Sequence, residues 1–314
     1  MTGRGTLRWI VRAGERATAG EVVARAGAGP EAIGEGRVFV GRRRVRDPAS
    51  PVAVGDEVTI HARAEPRGGG EPLILHHEGG VVAALKPAGL ATIPDLRGDA
   101  SLLAQVAALA GLPLDRVHPT SRLDRDVSGV VVFALDAEAR EALRRAREAG
   151  EYARRYVAIA ATAPSPSSGI WAAPIGRHPN RLLRAVGGRG AAPAETRYRV
   201  VEHVQGACVL AVRPITGRTH QIRVHASHAG APLVGDRAYG GPPRLVLATG
   251  EVLTARRIYL HAARVTIDGR RTAEGGPRTG LDLRADIPAE FRDLWTALGG
   301  SPDVWDKSTS CETS

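Results

Sequence analysis

Six apolar residues in a row, Val130-Val131-Val132-Phe133-Ala134-Leu135, constrain this chain more than any other feature. A short continuous run of this kind, rich in β-branched residues, is the pattern of a buried strand. The residues just before it are the opposite. "RLDRD", residues 122–126, puts two arginines and two aspartates into five positions. Charged turns at strand mouths are common, so a solvated turn with two ion pairs would account for it. The other reading is a reactive carboxylate held by cations. Asp124 beside Arg122 and Arg125 would stay an anion even when partly buried. An anion is what a nucleophile, or a base working on a sugar, must be. The local sequence leaves both readings open.

The rest of the chain reads as strands with fewer helices. "LILHHEGGVVAALK" gives two short strands meeting at Gly79-Gly80, "YVAIAA" another, and "TRYRVVEHV" with "ACVLAVRPI" an antiparallel pair turned at Gln205-Gly206. Helices are predicted at "SLLAQVAALA", capped by Ser101 and stopped by Gly111, and at "AEAREALRRAREAG", capped by Asp136. A third, "HQIRVHASHAG", is expected to be capped by Thr219 and closed by Gly230. Residues 163–193 are a Pro/Gly/Arg-rich excursion. This balance is α+β rather than an alternating βαβ order. The "EPRGGGEP" stretch supplies a linker at 66–72, separating a small module at 13–65 from a main domain at 73–298. A polar tail at 301–314 is expected to be flexible.

Composition narrows the partners. Hydrophobic residues make up 43% and aromatics 4%, so the core must be built from Val, Leu, Ile and Ala. A formal net charge of +10 points to a polyanion, RNA or DNA ahead of an anionic membrane. Nearly every cation is arginine, and Lys86 is the one lysine in the middle of the chain, which hints at a point charge. In the small module, Arg37, Arg42, Arg43 and Arg44 crowd one predicted basic strand and turn. Cys208 and Cys311 lie far apart with no metal spacing, so the expected compartment is a reducing cytoplasm, with Cys208 in the core. No run approaches the roughly 18 apolar residues of a membrane helix.

A second charged constellation lies at 214–240, "PITGRTHQIRVHASHAGAPLVGDRAYG". Arg218, His220, Gln221 and Arg223 gather at the start of the predicted helix, where unpaired N–H groups attract a phosphate or a carboxylate. No two of His220, His225 and His228 stand four apart, so no metal is expected. Tyr156, after Arg154 and Arg155, reads by itself as an ordinary strand-end tyrosine.

Taken together, "LKPAGLATIPD" (85–95), "RLDRDVSGVVVFA" (122–134), "RRYVAIA" (154–160) and "TGRTHQIRVHASHAGAPLVGDRAYG" (216–240) resemble the RluA family of pseudouridine synthases, in the family's order. "IYLHAARV" (258–265) also fits, and the resemblance covers roughly residues 73 to 298. It implies the pseudouridine synthase fold, a large mixed, mostly antiparallel sheet flanked by helices. It also implies isomerisation of uridine in RNA without a cofactor. Asp124 would be the catalytic aspartate, Arg223 its partner, and Tyr156 the active-site tyrosine, which would stack against the base and then help remove the carbon 5 proton. Arg122, Lys86, Arg218, His220 and the arginines of the module would bind RNA. Residues 17–64 resemble, more weakly, a small RNA-binding domain shared with a ribosomal protein. Ribosomal RNA is therefore the first expected substrate and transfer RNA the second, for a monomeric enzyme. Two positions depart from the family pattern, Ser121 where it usually has His and Val127 where it usually has Thr. They motivate a rival, a catalytically altered RNA-binding or ribosome-assembly relative. A glycoside hydrolase using Asp124 and Asp126 ranks far lower, since neighbours two apart on one chain seldom flank a substrate.

Overall fold

The computed structural model describes residues 7–12, 17–34, 38–41, 43–60, 72–94, 100–204, 206–246, 252–268 and 280–310. The chain divides into two compact units, Met1–Arg67 and Gly68–Ser314. In the first unit, β1 (Leu7–Ile10), β3 (Val38–Val40), β4 (Arg43–Arg44) and β6 (Glu57–Ile60) form an antiparallel sheet in the order β1-β6-β3-β4. A short pair, β2 (Ala17–Thr18) and β5 (Pro51–Val52), stands apart. The helix α1 (Ala19–Arg25) begins in a capping box, with Thr18 and Glu21 each satisfying the other's backbone N–H. With α2 (Glu31–Gly34) it contributes Val22, Val23 and Ile33 to a core completed by Val38, Val58 and Ile60.

The second unit is built on one ten-stranded sheet. Its strands are β7 (Leu73–Glu78), β8 (Val81–Lys86), β9 (His118–Pro119), β10 (Ser128–Ala134), β11 (Tyr152–Ala160) and β12 (Ser168–Trp171). Three small strands follow outside it, β13 (Ile175–Arg177), β14 (Arg184–Val186) and β15 (Arg189–Ala192). The sheet continues with β16 (Thr196–Val204) and β17 (Ala207–Pro214). A separate hairpin, β18 (Arg244–Val246) with β19 (Val252–Thr254), precedes its last strands, β20 (Leu260–Ile267) and β21 (Leu281–Arg284). The order is β12-β16-β17-β11-β20-β10-β8-β7, with β21 on β20 and β9 on β10. Every pairing in this sheet is antiparallel except β10 with β20, which run parallel over Ser128↔His261 and Gly129↔Ala262. The sheet is mixed and mostly antiparallel, the α+β class the sequence pointed to.

Helices cover both faces. The apolar run of β10 shows why, because alternate strand residues point to opposite sides. Val131 and Phe133 join the core under α3 (Leu102–Ala110) and α5 (Gln221–His228). Val130, Val132 and Ala134 pack instead against Ala139, Leu143 and Ala146 of α4 (Ala137–Glu148). Farther along that face, α6 (Ala289–Ala297) and α7 (Val304–Ser310) bury Phe291, Trp295 and Trp305 against Val157 and Ile159 of β11.

Two expectations are corrected. The polar tail is not free: residues 304–310 form α7, with Val304 and Trp305 buried, because two large apolar side chains outweigh the polar residues around them. Thr219 does not cap α5. The N-cap is His220, in the left-handed conformation at φ 58°, and it makes no capping bond. The Gln221 side chain takes over, with Oε1 accepting from Arg218 N at 2.9 Å and from the Thr216 hydroxyl at 2.6 Å.

Candidate active site

Residues 122–126 form the turn that feeds β10, and its backbone is clamped on both sides of Asp124. Before it, the buried Thr92 hydroxyl donates to Leu123 O at 2.8 Å and accepts from Leu123 N at 3.0 Å. After it, Arg125 O accepts from Gly89 N at 2.8 Å and from Lys86 Nζ at 2.9 Å. Asp124 O itself accepts from Val127 N at 3.1 Å. The "LKPAGLATIPD" segment thus serves as the bracket of the "RLDRD" turn. A side chain on so restrained a backbone is preorganised, which active-site geometry requires.

The strands place the opposite wall. Gly129, at φ +127°, lies against β20 so closely that a Cβ would meet Ala262 O at 2.3 Å. Ala262 is in turn the partner of Tyr156 across β11, next to a bulge between Arg155 and Tyr156. A larger residue at 129 would push β10 off the strand that aligns the turn with Tyr156. Ser128, at the same edge, accepts from Arg257 Nη2 at 2.6 Å and sits 2.7 Å from His261 Nδ1.

Arg223, on the first turn of α5, ties these pieces together. Its Nη1 donates to Asp124 Oδ2 at 2.7 Å, while Nε and Nη2 fork onto both oxygens of buried Asp236 at 2.7 and 2.8 Å. The pairing of Asp124 with a residue 99 positions away is therefore present as expected. Burial by itself would lower the Arg223 pKa, but the bonds and charges of Asp236 and Asp124 raise it, so the guanidinium is permanently charged. The Tyr239 ring lies under it, 4.8 Å from the guanidinium carbon. Tyr239 Oη also accepts from Arg184 N at 2.9 Å and lies 2.7 Å from His220 Nδ1. His220 Nε2 is 3.8 Å from Asp124 Oδ2. Burial holds the His220 pKa below its ordinary value, so its ring is neutral at physiological pH.

Around Asp124 opens a cleft of about 620 Å³, lined by Ser121, Arg122, Leu123, Val127, Tyr156, Arg218, His220 and Arg223 among others. Seven arginines line it (122, 125, 147, 154, 184, 218 and 223), and Asp124 is the one carboxylate among the described lining residues. Asp126 is exposed and does not line it. Such a cleft attracts anions and surrounds one carboxylate with cations. Tyr156 is 5% exposed, and burial raises its pKa, so its phenol keeps its proton. Both departures from the family pattern, Ser121 and Val127, sit on the cleft wall, with Val127 in the core beneath it.

Lys86 is a correction. It was expected to contact RNA, yet it is fully buried, and its three ammonium protons go to Pro87 O, Leu90 O and Arg125 O at 2.9, 2.6 and 2.9 Å. Burial, then the Arg257 charge, push its pKa down to about 7, against the opposing charges of Asp126 and Asp124. Its role is to fasten two loops. A compact ammonium can satisfy three converging carbonyls where a planar guanidinium cannot. In the first unit, Arg43 is exposed on β4 beside Arg44, while Arg37 and Arg42 lie outside the described residues. Sequence reasoning missed Thr92, Asp236 and Tyr239. All three lie inside the motifs already singled out, but nothing in their spacing marked them as partners of Asp124 or Arg223.

This arrangement has known counterparts. A family model described as RNA pseudouridylate synthase matches residues 80–228. The chain is 34% identical over 280 residues to ribosomal large subunit pseudouridine synthase D of Vibrio parahaemolyticus, covering 84% of this chain and 83% of the relative. It belongs to the RNA pseudouridylate synthase family. The enzyme of the same name from Xanthomonas campestris is 36% identical over 236 residues, covering 72% and 69%. Among solved structures, human RNA pseudouridylate synthase domain containing 4 shares the fold, with a TM-score of 0.53 at 23% identity over 72% of this chain and 93% of the human one. The chain is an RNA-modifying isomerase of this family, and the reading as an enzyme prevails over the catalytically altered relative.

Proposed function

We propose that this synthase isomerises uridine in ribosomal RNA to pseudouridine, with Asp124 as the catalytic carboxylate. The observation that carries the reading is Asp124 itself, the one described carboxylate in an arginine-lined cleft, fixed by Arg223. Ribosomal RNA is favoured because that is the substrate named for relatives matching most of this chain's length, and transfer RNA comes second. The enzyme acts as a monomer in the cytoplasm, its first unit serving as an accessory RNA-binding module through Arg43 and its neighbours.

In the reaction, the bond between uracil N1 and the ribose anomeric carbon breaks, the ring turns, and carbon 5 bonds to the same anomeric carbon. N1 gains a proton and carbon 5 loses one, so nothing is oxidised and nothing leaves. Asp124 starts the cleavage, either by attacking the anomeric carbon or by taking a proton from the adjacent ribose carbon. Arg223, itself held by Asp236, fixes its rotamer and charge. The target uridine must leave its stack, at a cost of about a few kcal/mol. Arg122, exposed at the mouth, fills the vacated position, while Arg218 and His220 face the backbone and sugar. Tyr156 packs against the uracil ring. Tyr156 then helps to remove the carbon 5 proton; burial raises the pKa of its phenol, so in the open cleft it must give up its own proton before it can take that one.

The test is to incubate purified enzyme separately with unmodified ribosomal and transfer RNA and map the pseudouridines formed. Product in ribosomal RNA is expected. Asp124→Asn should keep the fold and lose about a thousandfold or more in rate. Full activity in that variant would end the mechanism.

A further inference from the structure

The β13–β15 excursion has no assigned role. Residues 152–194 contain six arginines and neither Asp nor Glu, whereas the chain's 33 acids in 314 residues would place four or five there. Within this stretch β14, β13 and β15 form a small sheet of their own. The turn from β13 to β14 is built by its own polar groups. His178 Nδ1 accepts from Asn180 N at 3.0 Å, Asn180 Oδ1 from Leu182 N at 3.1 Å, and Asn180 O from Leu183 N at 2.9 Å. These bonds present Leu182 outward at 80% exposure, the highest of any large hydrophobic residue described. Single exposed leucines are ordinary. This one stands at the apex of an ordered turn with exposed Arg177 and Arg181 beside it, and no ion pair joins either arginine to a carboxylate among the described residues.

The turn is also registered to the site. Arg184, at its base, lines the Asp124 cleft, and its backbone N–H donates to Tyr239 Oη, which contacts His220 next to Asp124. An apolar tip flanked by two arginines that no described carboxylate pairs, two residues from Arg184 on the cleft wall, has the chemistry of a wedge between base steps. In such wedges an apolar side chain meets the exposed face of a base while arginines hold the flanking phosphates.

Resting on the reading that the cleft accepts a uridine of RNA, we propose that the 177–184 turn is a docking surface for the base-paired arm next to that uridine. Leu182 packs on the terminal base pair of that arm, beyond the gap that Arg122 fills, and Arg177 and Arg181 hold the adjoining phosphates. The surface therefore selects uridines at the edge of a helix over uridines in an open strand.

Two RNAs carrying the target uridine in the same local sequence test this, one with the uridine at the end of a hairpin stem, the other unable to pair. Leu182 is exposed, so Leu182→Ala does not threaten the fold. Expected is a loss of about tenfold in kcat/KM and in affinity for the paired RNA, with the unpaired RNA changed by less than about twofold. Leu182→Met should restore most of the loss. Arg177→Ala and Arg181→Ala should each lower the salt dependence of binding to the paired RNA by about one unit of slope. Equal losses on both RNAs, or no loss on either, would overturn the wedge. Binding read by fluorescence anisotropy tests it even if neither RNA is modified, an outcome that would count against the isomerase reading instead.

Discussion

Arg223 and Arg144 each meet two carboxylates at almost the same distances. Arg223 holds Asp124 and Asp236 at 2.7 to 2.8 Å, and Arg144 holds Glu141 at 2.7 Å and Glu148 at 2.5 Å. Their surroundings differ. The Arg223 side chain is 8% exposed and spans two segments of the fold, whereas the Arg144 side chain is 53% exposed and pairs within one helix. In water the second cluster competes with solvent and is screened, so it adds little even though hydrogen bonds from Arg144 and Arg145 draw the Glu141 pKa down to about 2. Inside the protein the first cluster cannot lose a member without stranding a charge. Bond length does not separate a structural pair from a decorative one; burial and chain separation do.

Removing one carboxylate from each cluster is the strongest way to break this comparison. Asp236→Ala leaves a buried guanidinium with half its partners and should cost about 3–5 kcal/mol in urea unfolding. Measured where the variant is still folded, its turnover should fall about a hundredfold, because Asp124 is no longer held in place. A loss of stability with unchanged kcat would separate Asp236 from the positioning of Asp124.

A pH series sharpens the contrast with a second buried group. Burial, then the Arg257 charge, hold the His261 pKa at about 3, against an ordinary value of 6.5. Between these values the unfolded chain takes a proton that the folded chain refuses, so stability present above pH 6.5 is lost as pH falls. The expected loss from this group is about 2 kcal/mol between pH 6.5 and 5. Unfolding midpoints of wild type and His261→Asn should therefore converge as the pH drops, and parallel curves would show that His261 is not the group responsible.

The smallest effect belongs to the exposed cluster. Glu141→Gln should shift stability by less than about 0.5 kcal/mol and leave kcat/KM unchanged. A larger shift would mean that α4 depends on its surface charges after all.

Much of this was legible before any coordinates. The Val130–Leu135 run announced the buried strand, Ser101 and Asp136 announced their helices by a local capping rule, and both bonds are present. The Asp124–Arg223 pair was legible only through the order of the motifs. Lys86 was misread because a lone lysine among arginines hinted at a point charge, and that charge was assigned to RNA. The three carbonyls that claim it come from the backbone, which side-chain identity does not reveal. Trp305 was passed over because the polar residues around it hid a side chain whose partner, Phe291, lies on a different helix.

The sequence alone determined the periodic and the local: which segments are strands, that Ser101 and Asp136 cap their helices, and which motifs stand in which order. Periodicity and capping act over a few residues, so a few residues suffice to show them. Tertiary structure decided the rest. It closed Thr92 and Lys86 around the Asp124 turn, forked Arg223 onto Asp236, and set Leu182 on a tip beside the cleft. These are contacts between segments tens of residues apart, and only the folded sheet brings them within the 3 Å or so over which a hydrogen bond acts.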